Sequence, residues 1–307
     1  MTRDLVVVGA GPAGISAGLW ARSLELDVVV LDAAPVPGGQ LHLVHFHPLA
    51  VPGFERGDGP ALAAAYARQL ETLGVPWRGD CAAAGLRPAP ELGAPAEVEL
   101  AGGECVEARA VLVATGVRRR RLGVPGEREF EGRGVSFSAT RDLGRLAGRA
   151  VVVVGGGDAA FENALLLAGA GCDVELLVRG EPRARSEFRE RVRTHARVRL
   201  HEGTRVTAVH GSESVTGVAV EGPDGAGELA ADGVVVKIGV LPNSEWCREA
   251  IVVDADGYVR VDGGLATSAP GVWAAGDVTR AVPPSIPVAI GQGAQAATAI
   301  RAAVRGA

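Results

Sequence analysis

Two glycine-rich turns, Gly9-Ala10-Gly11-Pro12-Ala13-Gly14 and Gly155-Gly156-Gly157-Asp158-Ala159-Ala160, each follow a β-branched run and precede an alanine-rich stretch. Near the other end, Gly271-Val272-Trp273-Ala274-Ala275-Gly276-Asp277 reads as a further strand running into a tight turn. Together they predict an α/β chain of two Rossmann-like domains of the three-layer ββα type, the second inserted into the first. The C-terminal segment returns to the first domain, so the expected division is 1–116 with 244–307, and 117–243 between them.

The first strand is Leu5-Val6-Val7-Val8, and the turn after it opens a helix whose free N–H groups suit a pyrophosphate. The second strand, Val28-Val29-Val30-Leu31, ends in Asp32, about 20 residues past the glycines, where an acid binds the hydroxyls of a ribose. Gly9, Gly11, Pro12, Ala13, Gly14 and Asp32 are therefore the expected residues of a first dinucleotide site. The loop Pro35-Val36-Pro37-Gly38-Gly39-Gln40 follows, then a histidine-rich stretch, then a helical pattern over 59–73. The alternating spacing of His45 and His47 predicts two imidazoles on one strand face, first as loop or pocket residues and second as proton donors. With His42 they lack a convincing third ligand, and no metal is expected.

The run Ala110-Val111-Leu112-Val113-Ala114-Thr115-Gly116 reads as a buried strand ending in a turn, and 234–242 has the same character. The two crossings between domains are placed just after these strands. In the inserted part Val151 to Val154 is a strand, Gly155, Gly157 and Ala160 hold the fingerprint places, and Asp158 opens the helix. The following strand, 173–178, ends in Val178, without an acid. Arg179 comes next, with Arg183 and Arg185 behind it, so guanidinium forks stand where a 2′-phosphate would be met, which favours NADPH over NADH. A helix pattern over 289–304 closes the chain.

Composition narrows the field further. With 307 residues, 47% of them hydrophobic, the chain is long enough for two ordinary domains with substantial cores. A net charge of −5 leaves no broad basic surface for nucleic acid. Apolar stretches are broken before membrane-spanning length, and the start enters a strand without a signal-peptide pattern, so a cytoplasmic location is expected. Lys237 is the only lysine in an arginine-rich chain, which reads as codon bias. Cys81, Cys105, Cys172 and Cys247 are scattered, matching neither a zinc spacing nor a disulfide framework, and no Cys-x-x-Cys pair occurs.

These residues resemble, in order and over nearly the whole chain, the low-molecular-weight thioredoxin reductase family of FAD-dependent pyridine nucleotide oxidoreductases. The resemblance implies that Gly9, Gly11, Gly14 and Asp32 bind the adenosine part of FAD, and that Gly38, Gly39 and Gln40 border the flavin. It implies that Gly276 and Asp277 contact the ribityl and phosphate region, and that Thr115 and Gly116 belong to the same site. It also implies that the inserted domain binds NADPH or NADH through Gly155, Gly157, Asp158, Ala160, Arg179 and Arg185. Two departures stand out. The family's Cys-Ala-Thr-Cys-Asp is here Ser138-Ala139-Thr140-Arg141-Asp142, and neither serine nor arginine can form a mixed disulfide. The family's Arg-Gln pair before the last helix is replaced by Ser285-Ile286-Pro287-Val288, whose backbone N–H groups can still face the flavin pyrimidine.

The implied activity is transfer of electrons from NAD(P)H through FAD to an external small molecule or small redox protein, in a homodimer. Arg141 is a candidate to stabilise an anionic reduced flavin, whereas Asp142 reads as a helix N-cap or as the partner of Arg141. One alternative is a ferredoxin or flavodoxin reductase of the same general type, disfavoured because the sequence ends at Ala307 without a C-terminal extension and has no extensive basic face. Another is a flavin-binding sensor or scaffold without hydride transfer, or a second site holding a different ADP-containing ligand.

Overall fold

The strand Arg3–Val8 shows how the sequence builds the first sheet. Leu5 and Val7 fall in one apolar cluster, with Ile15 and Ala17 of the helix Pro12–Ser23 and Ala296, Ala297 and Ile300 of the helix Ile286–Arg305. Val6 and Val8 fall in a second cluster, with Val111 and Val113 from the strand Cys105–Val113. That alternation is the two-residue period of a strand, and burial on both faces explains why Leu5 to Val8 carries no polar residue.

The structure, a computed structural model, describes residues 2–306. Its contacts separate two units, Met1–Arg118 with Leu241–Ala307, and Arg119–Val240. In the first unit Trp77–Arg78, Val28–Leu31, Arg3–Val8 and Cys105–Val113 lie side by side in that order and run parallel. Val272–Ala274 joins the far side of Cys105–Val113, also parallel. The N-terminal half of that strand pairs instead with the antiparallel strand Ala96–Leu100, which in turn pairs with Ala83–Arg87, a branch that the periodicity reading did not foresee. The two principal helices meet through small residues. A Cβ on Gly293 would lie 2.2 Å from the carbonyl oxygen of Ala13, and Ser16 Oγ donates to the Ile290 carbonyl at 2.8 Å.

The second unit is layered. Five parallel strands run in the order Val198–Glu202, Asp173–Val178, Ala150–Val154, Gly233–Val236, Val135–Ser136. Val151 and Val153 face a cluster with Phe161, Ala164 and Leu167 of the helix Asp158–Gly169. Val152 and Val154 face a cluster with Val206, Val209, Val215 and Val218 of the antiparallel sheet Arg205–Gly211, Val215–Gly222, Gly225–Ala230. At the crossings between units, Val117–Arg119 pairs with Val240–Pro242 as a two-stranded ribbon.

The histidine-rich stretch departs from expectation. A short 3₁₀ turn, Gly39–Leu43, is followed by irregular chain up to the helix Gly59–Thr72, so His45 and His47 share no strand face. Pro48 and Pro52 cannot donate to a ladder, and Gly53 and Gly57 take φ of 82° and 116°, outside the range of a strand. Among the described residues no helix is long and apolar enough to cross a membrane.

Candidate dinucleotide sites

The first glycine turn is enforced by close backbone approach. Gly9 has φ of 112°, and a Cβ there would lie 2.3 Å from the Ala114 carbonyl oxygen. A Cβ on Gly14 would lie 1.7 Å from the Gly9 carbonyl oxygen. Gly11, by contrast, faces open space at the head of Pro12–Ser23, a helix with no acid in its first turn and no side-chain cap. Its free N–H groups and positive dipole end are thus available to an anion.

Beside this helix end lies a cavity of about 990 Å³, at the upper end of the ~300–1,000 Å³ typical of small-molecule sites. Gly9, Gly11, Pro12 and Ala13 line it at the glycine turn. Asp32 lines it at the end of Val28–Leu31, its Oδ2 accepting from Ala10 N at 2.5 Å and its Oδ1 from Ala34 N at 2.7 Å. Both oxygens are thereby aimed, and each keeps a lone pair for a hydroxyl. Gly39, Gln40, His42, Thr115 and Gly116 also line it. Gly276 and Asp277 complete it together with Ile286. Burial pushes the Asp277 carboxyl above its ordinary value, partly opposed by the hydrogen bond with Gln40.

Four residues expected at the cofactor, and the two candidate histidines, do not line the cavity. Gly14 packs beneath the turn, and Gly38 N donates to the Ala10 carbonyl at 2.7 Å, tying its loop to the same turn. Pro287 and Val288 lie in the first turn of Ile286–Arg305, and it is Ser285, Ile286 and Ala289 that reach the cavity. Ser285 makes no side-chain cap there, which leaves first-turn backbone groups open. His47 hydrogen-bonds the Gly57 carbonyl through Nδ1 at 2.9 Å and stacks on Phe54, and neither it nor His45 lines the cavity.

Sequence reasoning missed the wall made by Cys81, Ala82, Ala83, Asn243 and Trp246. The residues after Pro242 carry no glycine fingerprint, and only the strand reading of 234–242 hinted that the chain re-enters the first unit nearby.

The second turn repeats the first. Gly155 has φ of 148°, and a Cβ there would lie 2.2 Å from the Lys237 carbonyl oxygen, while Gly157 faces open space. Ala160, fully buried, stands where the first turn has Gly14. Asp158 heads the helix Asp158–Gly169 and is occupied by Arg185, whose backbone N donates to Oδ1 at 2.7 Å and whose Nε lies 2.8 Å from Oδ2. Arg185 also lies over the Phe188 ring, so its charge is engaged locally. The loop after Val178 folds back, Arg183 N and Ala184 N both donating to the Gly156 carbonyl. Arg179 is exposed and, among the described residues, has no ion pair.

In the segment Ser138 to Asp142, Ser138 is the N-cap of Ala139–Leu146, its Oγ accepting from Arg141 N at 3.3 Å. The cap is therefore Ser138 rather than Asp142. Asp142 pairs with Arg141, Nη2 to Oδ2 2.7 Å, and with Arg145 at 3.2 Å, and it accepts a short hydrogen bond from Ser136 Oγ. All four cysteines are free thiols.

A parallel-stranded unit with a glycine turn at the head of its first helix, occurring twice in one chain, defines the class of two-dinucleotide α/β oxidoreductases. Residues 3–293 match the pyridine nucleotide-disulphide oxidoreductase family, and the chain belongs to it. It is 36% identical over 303 residues to an alkyl hydroperoxide reductase component of Pseudomonas putida, covering 96% of this chain and 57% of that longer protein. It is 35% identical to the thioredoxin reductase of Mycolicibacterium smegmatis, over 90% of this chain and 88% of that one. In structure it is similar to Lactococcus lactis thioredoxin reductase in the FR conformation, with a TM-score of 0.81, 28% identity and 99% of each chain covered. Membership makes the protein an FAD-dependent oxidoreductase with NADPH as its electron donor.

Proposed function

We propose that the cavity of the first unit holds FAD, that the Gly155 turn of the second unit holds NADPH, and that electrons leave the flavin for an external acceptor without a disulfide relay in this chain. FAD held there would supply the redox chemistry, hydride acceptance and onward electron transfer. The chain's own residues bind and orient. Asp32 anchors the ribose, the first turn of Pro12–Ser23 offers N–H groups to the pyrophosphate, Asp277 meets the ribityl and phosphate region, and Gln40 and the head of Ile286–Arg305 border the ring system.

The observation that carries the disulfide-free reading is the use made of Ser138 and Arg141. One is a helix cap and the other an ion-paired guanidinium, and the four thiols lie at 81, 105, 172 and 247. A hydroxyl and a guanidinium can neither donate nor store a disulfide's two electrons. The acceptor is then a small molecule or a small redox protein, and the protein is read as a cytoplasmic homodimer. Arg179, uncommitted to any carboxylate among the described residues, is the group placed to favour a 2′-phosphate.

Anaerobic stopped-flow mixing with NADPH and NADH tests the reading. The flavin band bleaches, faster with NADPH, and the reduced protein then reduces a quinone or dye but not a protein disulfide. A persistent flavin band would instead support a sensor, and efficient disulfide reduction would overturn the relay-free assignment.

A further inference from the structure

In the second unit the strand order marks where a dinucleotide crosses the sheet. From Ala150–Val154 the chain moves outward on one side, to Asp173–Val178 and then Val198–Glu202, whereas Gly233–Val236 lies on the other side. The order therefore reverses between Ala150–Val154 and Gly233–Val236. Ligands of open α/β sheets lie outside the carboxyl ends of the strands at such a point. The Gly155 turn stands there, at the carboxyl end of Ala150–Val154. To one side of it is Val178 with Arg179, read above as the place of the adenosine half. To the other is Lys237, next after Gly233–Val236, whose carbonyl oxygen would lie 2.2 Å from a Cβ on Gly155. The nicotinamide half then runs toward Lys237.

Lys237 is half-buried, and its Nζ donates to the Phe137 carbonyl at 2.8 Å. Phe137 comes directly after Val135–Ser136, the parallel strand beside Gly233–Val236. The ammonium is thus held at the carboxyl ends of two neighbouring strands rather than beneath the sheet. Other cations gather round the same phenylalanine, the Arg119 guanidinium 6.0 Å and the Arg121 guanidinium 5.2 Å from its ring centroid. Arg121 is ion-paired with Glu131 at 2.7 Å, and Glu162, the carboxylate that acts on Lys237, is exposed. Burial, helped by the Arg119 charge, lowers the ammonium only to about 8, so at pH 7 it keeps its proton.

The nicotinamide ring of NADPH is neutral. When a hydrogen leaves its C4 as hydride, taking both electrons of the bond, the ring that remains is a pyridinium with one positive charge. A fixed cation nearby therefore acts on the two forms differently. We propose that Lys237 is a specificity-determining residue of the second site, its ammonium disfavouring the cationic ring of NADP⁺ relative to the neutral ring of NADPH. This rests on the reading that the Gly155 turn holds NADPH, and it gives the site a preference for the form that still has a hydride to donate.

The test measures dissociation constants by calorimetry on the full-length flavoprotein. NADP⁺ is titrated into oxidised protein, and NADPH into protein whose flavin has first been reduced with dithionite under anaerobic conditions, so that it binds without reacting. Contacts to the phosphates and riboses are common to both nucleotides and cancel in the ratio of the constants. Lys237→Met keeps an unbranched stem and removes the charge. The expected result is a preference for NADPH reduced about fivefold, mainly through tighter NADP⁺ binding. Lys237→Arg, which keeps the charge, retains the wild-type ratio. An unchanged ratio in Lys237→Met overturns the assignment, and so does equal weakening of both nucleotides, the mark of a purely structural role. A Lys237→Arg ratio that matches Lys237→Met overturns it as well. If wild-type protein binds neither nucleotide, the reading of the second site itself fails. If it binds both and Lys237→Met matches it, only the role of Lys237 fails.

Discussion

Thr115 and Asn243, 128 residues apart, hold each other by a reciprocal pair of hydrogen bonds. Thr115 Oγ1 donates to the Asn243 carbonyl at 2.6 Å, and Asn243 Nδ2 donates to the Thr115 carbonyl at 2.9 Å. Both residues line the cavity of the first unit, where the chain leaves it and where it returns. Arg118 adds a bond to Asn243 Oδ1 at 2.9 Å and an ion pair with Glu245.

Replacing Asn243 by Ala removes one bond of the pair and leaves the Thr115 carbonyl without that donor. The expected cost is about 1–3 kcal/mol in urea unfolding, together with weaker flavin retention. Arg118→Ala costs less than about 1 kcal/mol, because its ion pair with Glu245 lies at the surface. Equal effects of the two substitutions would contradict this ranking.

The glycines of the first turn separate into two roles. Gly14→Ala drives a Cβ into the Gly9 carbonyl and costs about 1–3 kcal/mol or more, with loss of folded yield. Gly11→Ala meets no protein atom, so the expected thermal midpoint of flavin-free protein is near wild type while FAD content falls. Measuring flavin absorbance and unfolding on the same preparations checks both halves.

Lys237 makes stability rise with pH in the alkaline range, the same sign as a carboxylate held low but with a different cause, the burial of its own charge. Burial, reinforced by the Arg119 charge and partly opposed by Glu162, lowers its ammonium to about 8, while Nζ donates to the Phe137 carbonyl at 2.8 Å. Unfolded lysine titrates near ~10.4. Between these values the unfolded chain holds more protons, so this group's contribution makes stability rise with pH across that window. Lys237→Met is expected to flatten the rise and to stabilise the protein at pH 7 by up to about 2 kcal/mol, after allowance for partial solvent contact and the carbonyl left without its donor. Unfolding midpoints from pH 7 to 10.5 decide it.

Asp142 behaves conventionally. Burial raises its carboxyl, but the hydrogen bonds from Arg141 and Ser136 and the charges of Arg141 and Arg145 outweigh burial and hold it below its ordinary value. Its contribution is therefore complete above the unfolded value of about 3.9 and is lost as pH falls through the lower folded value. Asp142→Asn is expected to cost about 1–3 kcal/mol at pH 7. The difference from wild type closes in strong acid, and a gap that is independent of pH would refute the charge argument.

Both strand–turn–helix units, the acid at the end of the second strand and the absence of a Cys-x-x-Cys pair could be read directly from the residues. Leu5 to Val8 and Val151 to Val154 announce buried strands through composition, and Gly9 and Gly155 mark turns that only a residue without a Cβ can make. These are local properties, set by backbone hydrogen bonding and steric limits within a few residues of chain. The fate of individual side chains was not legible in that way. That Arg141 is neutralised by its own neighbour, that Arg185 is committed to Asp158, and that His47 stacks on Phe54 in irregular chain depend on how loops close. The meeting of Trp246 with the Cys81 wall, and of Asn243 with Thr115, joins segments far apart in the chain. Such contacts exist only once the sheet and its helices have packed, because no local periodicity encodes a partner across that separation; tertiary packing alone brought these segments together around the cavity.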